Sequence, residues 1–217
     1  MLLSLRYNFL FVHIAKTGGT SIRAALARHK WKDPYRIPQF MCSRLSAMSG
    51  HRLACKLPRH ARAICAREML PRELYDSLFK FAFVRNPWDL QVSSYYHLRR
   101  ERPRLLGHTA TFEAFLRWKL SPDRDYQYHI DTSIERQSNY LIDLDGNIIV
   151  DFIGRMENLV EDFTTACHRI GIEPPALPHK RKDKRRGEYR KYYTDATAEL
   201  IGEYFRKDIE MFGYTFD

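Results

Sequence analysis

The chain has 217 residues, 44% hydrophobic and 13% aromatic, enough to bury a core and too apolar for an intrinsically disordered chain. Lys and Arg number 36 against 26 Asp and Glu, a formal net charge of +10 that points to anionic partners: nucleic acid, a phosphorylated cofactor, an acidic polysaccharide or a membrane surface. Four cysteines form no CxxC pair and no histidines cluster at zinc-ligand spacing, so a reduced, metal-free protein is expected; no apolar run approaches the ~18 residues of a membrane span.

The opening MLLSLRYNFLFVHIAK is interrupted by Arg6 and Tyr7-Asn8 and lacks a small-residue cleavage site, so it does not read as a signal peptide. Phe9 to Ile14 is short, apolar and rich in strand formers and reads as the first strand. A helix follows from Ser21 to about Arg28, with Ile22, Ala25 and Leu26 on one face. Trp31 to Pro58 shows no sustained period and reads as a surface excursion with room for a short helix. Ala61 to Met69 reads as helix, and Pro71 opens another from its favoured first-turn position. Leu78 to Val84 is the second strand; Pro87 begins a helix reaching about Arg100. Thr111 to Lys119 is helical, with Phe112, Phe115 and Leu116 at helical spacing. Asp145-Gly146 is a turn between Tyr140–Leu144 and Asn147–Ile153, and Ile148 to Ile153 reads as the third strand. Leu159 to Ile170 forms a helix stopped by Gly171, and Thr194 caps a last helix to about Phe212, with Leu200, Ile201, Tyr204, Phe205 and Ile209 inward. Strands alternating with helices predict one α/β domain over residues 1–217, with a mostly parallel central sheet flanked by helices.

Chemistry concentrates where the first strand meets its helix, in Lys16-Thr17-Gly18-Gly19-Thr20-Ser21. A strand turning through Gly-Gly into a helix directs several backbone N–H groups at one point, where the helix end adds about half a positive charge. The glycines admit close approach of an anion, the hydroxyls of Thr17, Thr20 and Ser21 add donors, and Lys16 is a mobile point charge. That chemistry suits phosphate or sulfate. The nucleotide-hydrolase loop G-x-x-x-x-G-K-[ST] does not fit, because the lysine here precedes the glycines and no acidic residue closes a strand as a magnesium partner. A second set follows the second strand: Arg85, at the strand end where open α/β sheets bind ligands, and Ser93 two helical turns on, on the face of Asp89. The planar fork of Arg85 suits bidentate phosphate contact, and an ion pair with Asp89 is its plain structural alternative.

HIAKTGGTS together with KFAFVRNPWDLQVSSYYHL resembles the PAPS-dependent sulfotransferases, in particular their carbohydrate branch. RHARAICAREMLP, VDFIGRMENLVEDF and YRKYYT with DIEMFGY extend the likeness over most of the chain. The resemblance implies a P-loop-like three-layer α/β fold and transfer of a sulfonyl group from PAPS to a carbohydrate hydroxyl, in-line and without metal. It implies that Lys16, Thr17, Gly18, Gly19, Thr20 and Ser21 grip the 5′-phosphosulfate, with Lys16 stabilising the bridging oxygen, and that Arg85 and Ser93 grip the 3′-phosphate. His60 is the implied general base, a residue type that titrates near neutral pH. His13, His51, His97, His108 and His129 are weaker rivals, and Arg155 and Glu157 are expected to form a structural ion pair or lie near the cofactor.

The run Lys180 to Lys191, which carries +6 of the +10 charge, stands where the family's cofactor loop lies and brings Lys182 and Arg186 forward as cofactor contacts. Tyr189, Tyr192 and Tyr193 suit either stacking on a ligand or packing. The competing readings are a P-loop-type kinase, which lacks its loop and metal partners, and a basic nucleic-acid- or glycan-binding protein, which leaves both anion-binding turns without a purpose. An acceptor glycan as partner, with no nucleic acid and no membrane insertion, is the expectation. The polypeptide as it stands reads as cytoplasmic, or Golgi-lumenal if shortened.

Overall fold

Two central strands, FLFV and FKFAFV, consist almost wholly of residues that favour the pleated backbone, and every residue of the first is buried. In a computed structural model, which describes residues 1–27, 29, 33–34, 36–49, 57–107, 109, 111–178 and 188–216, they form the middle of a four-stranded sheet in the order β1-β2-β3-β4. The strands are β1 (Leu2–Ser4), β2 (Phe9–Val12), β3 (Phe79–Val84) and β4 (Phe152–Arg155). The helices are α1 (Gly19–Ala25), α2 (Arg36–Ser49), α3 (Ala63–Met69), α4 (Arg72–Ser77), α5 (Pro87–Glu101), α6 (Phe112–Leu120), α7 (Tyr128–Ile134), α8 (Leu159–Arg169), α9 (Asp195–Tyr204) and α10 (Arg206–Phe212). Pairing of β2 with β3 and β3 with β4 is parallel; only β1 with β2 is antiparallel. The α/β class with a mostly parallel sheet holds. Among the described residues no helix is long and apolar enough to cross a membrane.

The chain falls into two compact units, one of residues 1–14, 18–84 and 140–180, the other of residues 15–17, 85–139 and 181–217. The first unit holds the sheet. One face, Phe9 and Phe11 of β2 with Phe81 and Phe83 of β3, packs on Ile22 and Ala25 of α1 and on Phe163, Ala166 and Cys167 of α8. Gly154 of β4 lies under Phe83: a Cβ there would come within 2.6 Å of the ring. The second unit is helical and centred on α5, whose Trp88, Val92, Tyr95 and Leu98 pack with Phe112, Phe115 and Leu116 of α6 and with Ile201 and Phe205.

Four expectations change. Ile148 to Val150 do not enter the sheet: Ile148 bridges back to Ile142 across the Asp145-Gly146 turn, and the strand begins at Phe152. Asp151 sets that start, its carboxylate accepting from the Lys80 N–H at 2.6 Å while its own N–H donates to the Lys80 carbonyl. The last helix breaks at Phe205 into α9 and α10, and beyond the break Asp208 reaches backbone N–H groups of residues 137 and 138. The excursion after residue 31 carries a 14-residue helix, α2, rather than a short one. Finally, Leu2–Ser4 adds an edge strand ahead of the first expected one; Asn8, at φ 49°, closes its turn into β2.

Candidate active site

In the first unit β2 runs out through His13 and the chain re-enters at Gly18, which stands at φ +81° immediately before α1. Its carbonyl accepts from the N–H groups of Ser21 at 2.9 Å and Ile22 at 3.3 Å, and no side chain caps the helix. Both glycines are required sterically. A Cβ on Gly18 would lie 2.8 Å from the Met156 sulfur at a φ that disfavours side chains, and one on Gly19 would lie 2.0 Å from the His13 ring. Gly19 and Ser21 are buried and Thr20 is partly so.

His60 lies against the same histidine. Its ring centroid is 4.5 Å from that of His13, and its Nδ1 stands 2.8 Å from the His13 carbonyl oxygen. A carbonyl only accepts, so Nδ1 carries the proton and Nε2 keeps its lone pair. Burial lowers the His60 pKa, opposed next by its hydrogen bond to the His13 carbonyl and aided by the charges of the N-terminus, Arg59 and Arg23. The imidazole is therefore neutral at pH 7, with Nε2 as its proton-accepting nitrogen. His13 is buried more deeply and its pKa is pushed down to about 2, by burial first and by His60 second. It packs against Gly19 and stacks on Phe11, which assigns it to structure.

The second unit contains Lys16 and Thr17 together with Arg85. Lys16 takes φ +68°, a left-handed backbone rare for a residue with a side chain, and Thr17 is buried. Arg85 is 5% exposed. Its Nε donates to Asp89 Oδ2 at 2.7 Å, its Nη2 reaches the same oxygen at 2.7 Å, and its Nη1 donates to the Lys16 carbonyl at 2.9 Å. The ion pair with Asp89 thus exists and holds the guanidinium against the backbone of the first motif's lysine. Asn86 and Pro87 explain the rest of the R-N-P triplet: the Asn86 side chain caps α5 by accepting from the N–H of Trp88 and Asp89, and Pro87 takes the first helical position. Ser93, two turns along α5, is half-buried.

Two positioning residues escaped the sequence reading. Gln137 clamps the Arg85 backbone from both sides, its Oε1 accepting from the Arg85 N–H at 2.9 Å and its Nε2 donating to the Arg85 carbonyl at 2.7 Å. Fully buried Asp208 in turn accepts from the N–H of Gln137 at 2.7 Å and of Ser138 at 2.9 Å. Burial raises the Asp208 pKa, against the hydrogen bonds that favour its charged form. A carboxylate in line with inward-facing Phe205 and Phe212 was the available signal.

The tyrosines act in packing. Tyr192 shares a hydrogen bond with Tyr96 and packs edge-on against Phe112, Tyr193 donates to the Trp88 carbonyl, and Tyr189 donates to the Phe216 carbonyl. Arg155 ends β4, its N–H donating to Asp162, and Glu157 is exposed. His129 is exposed and His97 half-buried. Lys182, Arg186, His51 and His108 lie outside the described residues.

An uncharacterized protein of Archaeoglobus fulgidus is 31% identical over 108 residues, 49% of this chain and 78% of its own length. The fold matches that of a mouse sulfotransferase, SULT7A1, solved in complex with PAP: TM-score 0.50, 18% identity, 95% of this chain and 86% of that one. The sulfotransferase family model, Sulfotransfer_2, matches residues 1–215, and the chain belongs to that family.

Proposed function

We propose that the protein moves a sulfonyl group from PAPS to a hydroxyl of a carbohydrate acceptor, the whole chain serving as one sulfotransferase domain. The observation that carries this is the 2.9 Å hydrogen bond from Arg85 to the Lys16 carbonyl, which brings the key residues of two motifs 69 positions apart to one place. The donor set fits a phosphorylated anion: a flexible ammonium, a planar guanidinium and hydroxyls, with Asp89 fixing the guanidinium instead of leaving it to wander. The PAP held by the mouse relative supports the choice of nucleotide.

In this reading Lys16 and Thr17, with Gly18, Gly19, Thr20 and Ser21, hold the 5′-phosphosulfate, and Arg85 and Ser93 hold the 3′-phosphate. PAPS supplies the sulfonyl group: its bond to the phosphate oxygen breaks as a bond to the acceptor oxygen forms. Lys16 Nζ stabilises the negative charge left on the phosphate oxygen. His60 Nε2 accepts the proton from the acceptor hydroxyl, and its Nδ1–H, tied to the His13 carbonyl, fixes the tautomer that can do so. Catalysis then rests on positioning and charge stabilisation, as in phosphoryl transfer.

A donor assay with labelled PAPS and with ATP, against a panel of saccharides, tests the proposal. Transfer from PAPS that is lost in Lys16→Ala is expected. Transfer from ATP, or PAPS turnover indifferent to Lys16, overturns it.

A further inference from the structure

The loop joining α6 to α7, residues 121–127, walls a groove of about 450 Å³ in the second unit. Arg104, Trp118, Ser121, Asp123, Arg124, Asp125 and Gln127 line it. Trp118 is half-buried: its ring lies 6.5 Å from Phe115, and the Arg124 guanidinium sits over it at 5.8 Å. The loop is fixed. The Arg124 side chain is 6% exposed and binds both oxygens of Asp131, at 2.8 and 3.2 Å, while also donating to the carbonyls of Asp125 at 2.7 Å and Lys119 at 3.2 Å. The Gln127 N–H ties down the same carboxylate at 2.6 Å.

The groove lies at the C-terminal end of α6, the helix that also carries Lys119. Lys119, next to Trp118, is fully buried, its ammonium on Gln91 Oε1 at 2.6 Å and Ser94 Oγ at 3.0 Å. After burial itself, the charge of Lys16 is the largest influence disfavouring a proton there. So α6 carries an aromatic plane into the groove and lies within electrostatic reach of Lys16.

We propose that this groove is the acceptor subsite and that it takes a neutral saccharide, an inference that rests on the sulfotransferase reading. A partly covered indole offers a flat apolar face for the C–H face of a pyranose. Around it, the carboxylates of Asp123 and Asp125, the Gln127 amide and the Ser121 hydroxyl supply the acceptors and donors that sugar hydroxyls need. The charge balance selects against acidic sugars. Asp123 and Asp125 balance Arg104 and Arg124 in the lining, and Arg124 is already bound to Asp131 and two carbonyls, so an acidic sugar meets no net positive charge. The chain's net positive charge suggested an anionic glycan; this surface does not share it.

The test is saturation-transfer NMR and tryptophan fluorescence on the full chain, with maltotriose, triacetylchitotriose and a chondroitin-derived tetrasaccharide. PAP binding is measured in parallel by calorimetry. A neutral oligosaccharide binds, Trp118→Ala weakens it about tenfold, and PAP affinity is unchanged in that variant. Asp123→Ala with Asp125→Ala, both exposed, weakens the sugar in the same way and covers the case in which the Trp118 variant loses its fold. Absence of saccharide binding, binding indifferent to both variants, or tighter binding of the uronate-containing tetrasaccharide overturns the inference. Loss of PAP binding with sugar binding intact strikes the donor reading instead.

Discussion

Two residues of the first unit, Gly19 and His60, answer to His13. Gly19 must lack a side chain because the His13 ring occupies the space, so Gly19→Ala is expected to destabilise the protein by about 1–3 kcal/mol, read as a lower melting temperature. His60 owes its tautomer to the His13 carbonyl, and His60→Ala is expected to remove most turnover while PAP binding survives, separable by calorimetry beside the activity assay. Because burial lowers the His60 pKa, the acid limb of the activity profile should fall below pH 6.5, the ordinary value for the group. The local shape around these residues was legible: a Gly-Gly turn from strand into helix, and an arginine at the end of the second strand, both stand where the sequence put them. What supports them was not. The Gln137 clamp on Arg85 and the Asp208 carboxylate behind it join residues 52 and 71 positions apart, and no local pattern encodes such a pairing.

Among the elements, those with an uninterrupted period were read well and those that end for a tertiary reason were not. α5, α6 and α8 begin and stop at their local signals: Asn86-Pro87, the Thr111 hydroxyl on the Ala114 N–H, and Gly171 at φ +70°. β4 begins where Asp151 meets Lys80, and the α9–α10 break leaves Asp208 reaching the 137–138 backbone; both are non-local hydrogen bonds. Asp208→Asn should show how much α10 depends on that carboxylate. An amide has a single acceptor oxygen, so one of the two buried N–H groups loses its partner, and a loss of about 1–3 kcal/mol is expected by denaturant titration. A capping defect is milder: Thr194 and Thr197 cap α9 reciprocally, and Thr194→Ala should cost about 1 kcal/mol.

At the scale of the whole molecule, buried His13 couples stability to pH. Its unfolded imidazole titrates near pH 6.5 and its folded one near 2, so below pH 6.5 the unfolded state binds a proton that the folded state does not. Stability therefore falls as pH falls through that window, by about 1.4 kcal/mol per pH unit from this residue, and His13→Asn should flatten the dependence measured by chemical denaturation. The overall α/β class followed from apolar strands alternating with helices and the family from the likeness of two motifs, whereas the split into two compact units left no mark in composition. Everything in the functional account requires Lys16 and Arg85 to serve one nucleotide. Calorimetric titration of PAP into the wild-type chain and into Lys16→Ala and Arg85→Ala asks this most directly. The account predicts one-to-one binding that each substitution weakens at least tenfold, about 1.4 kcal/mol or more; wild-type affinity in either variant would contradict it.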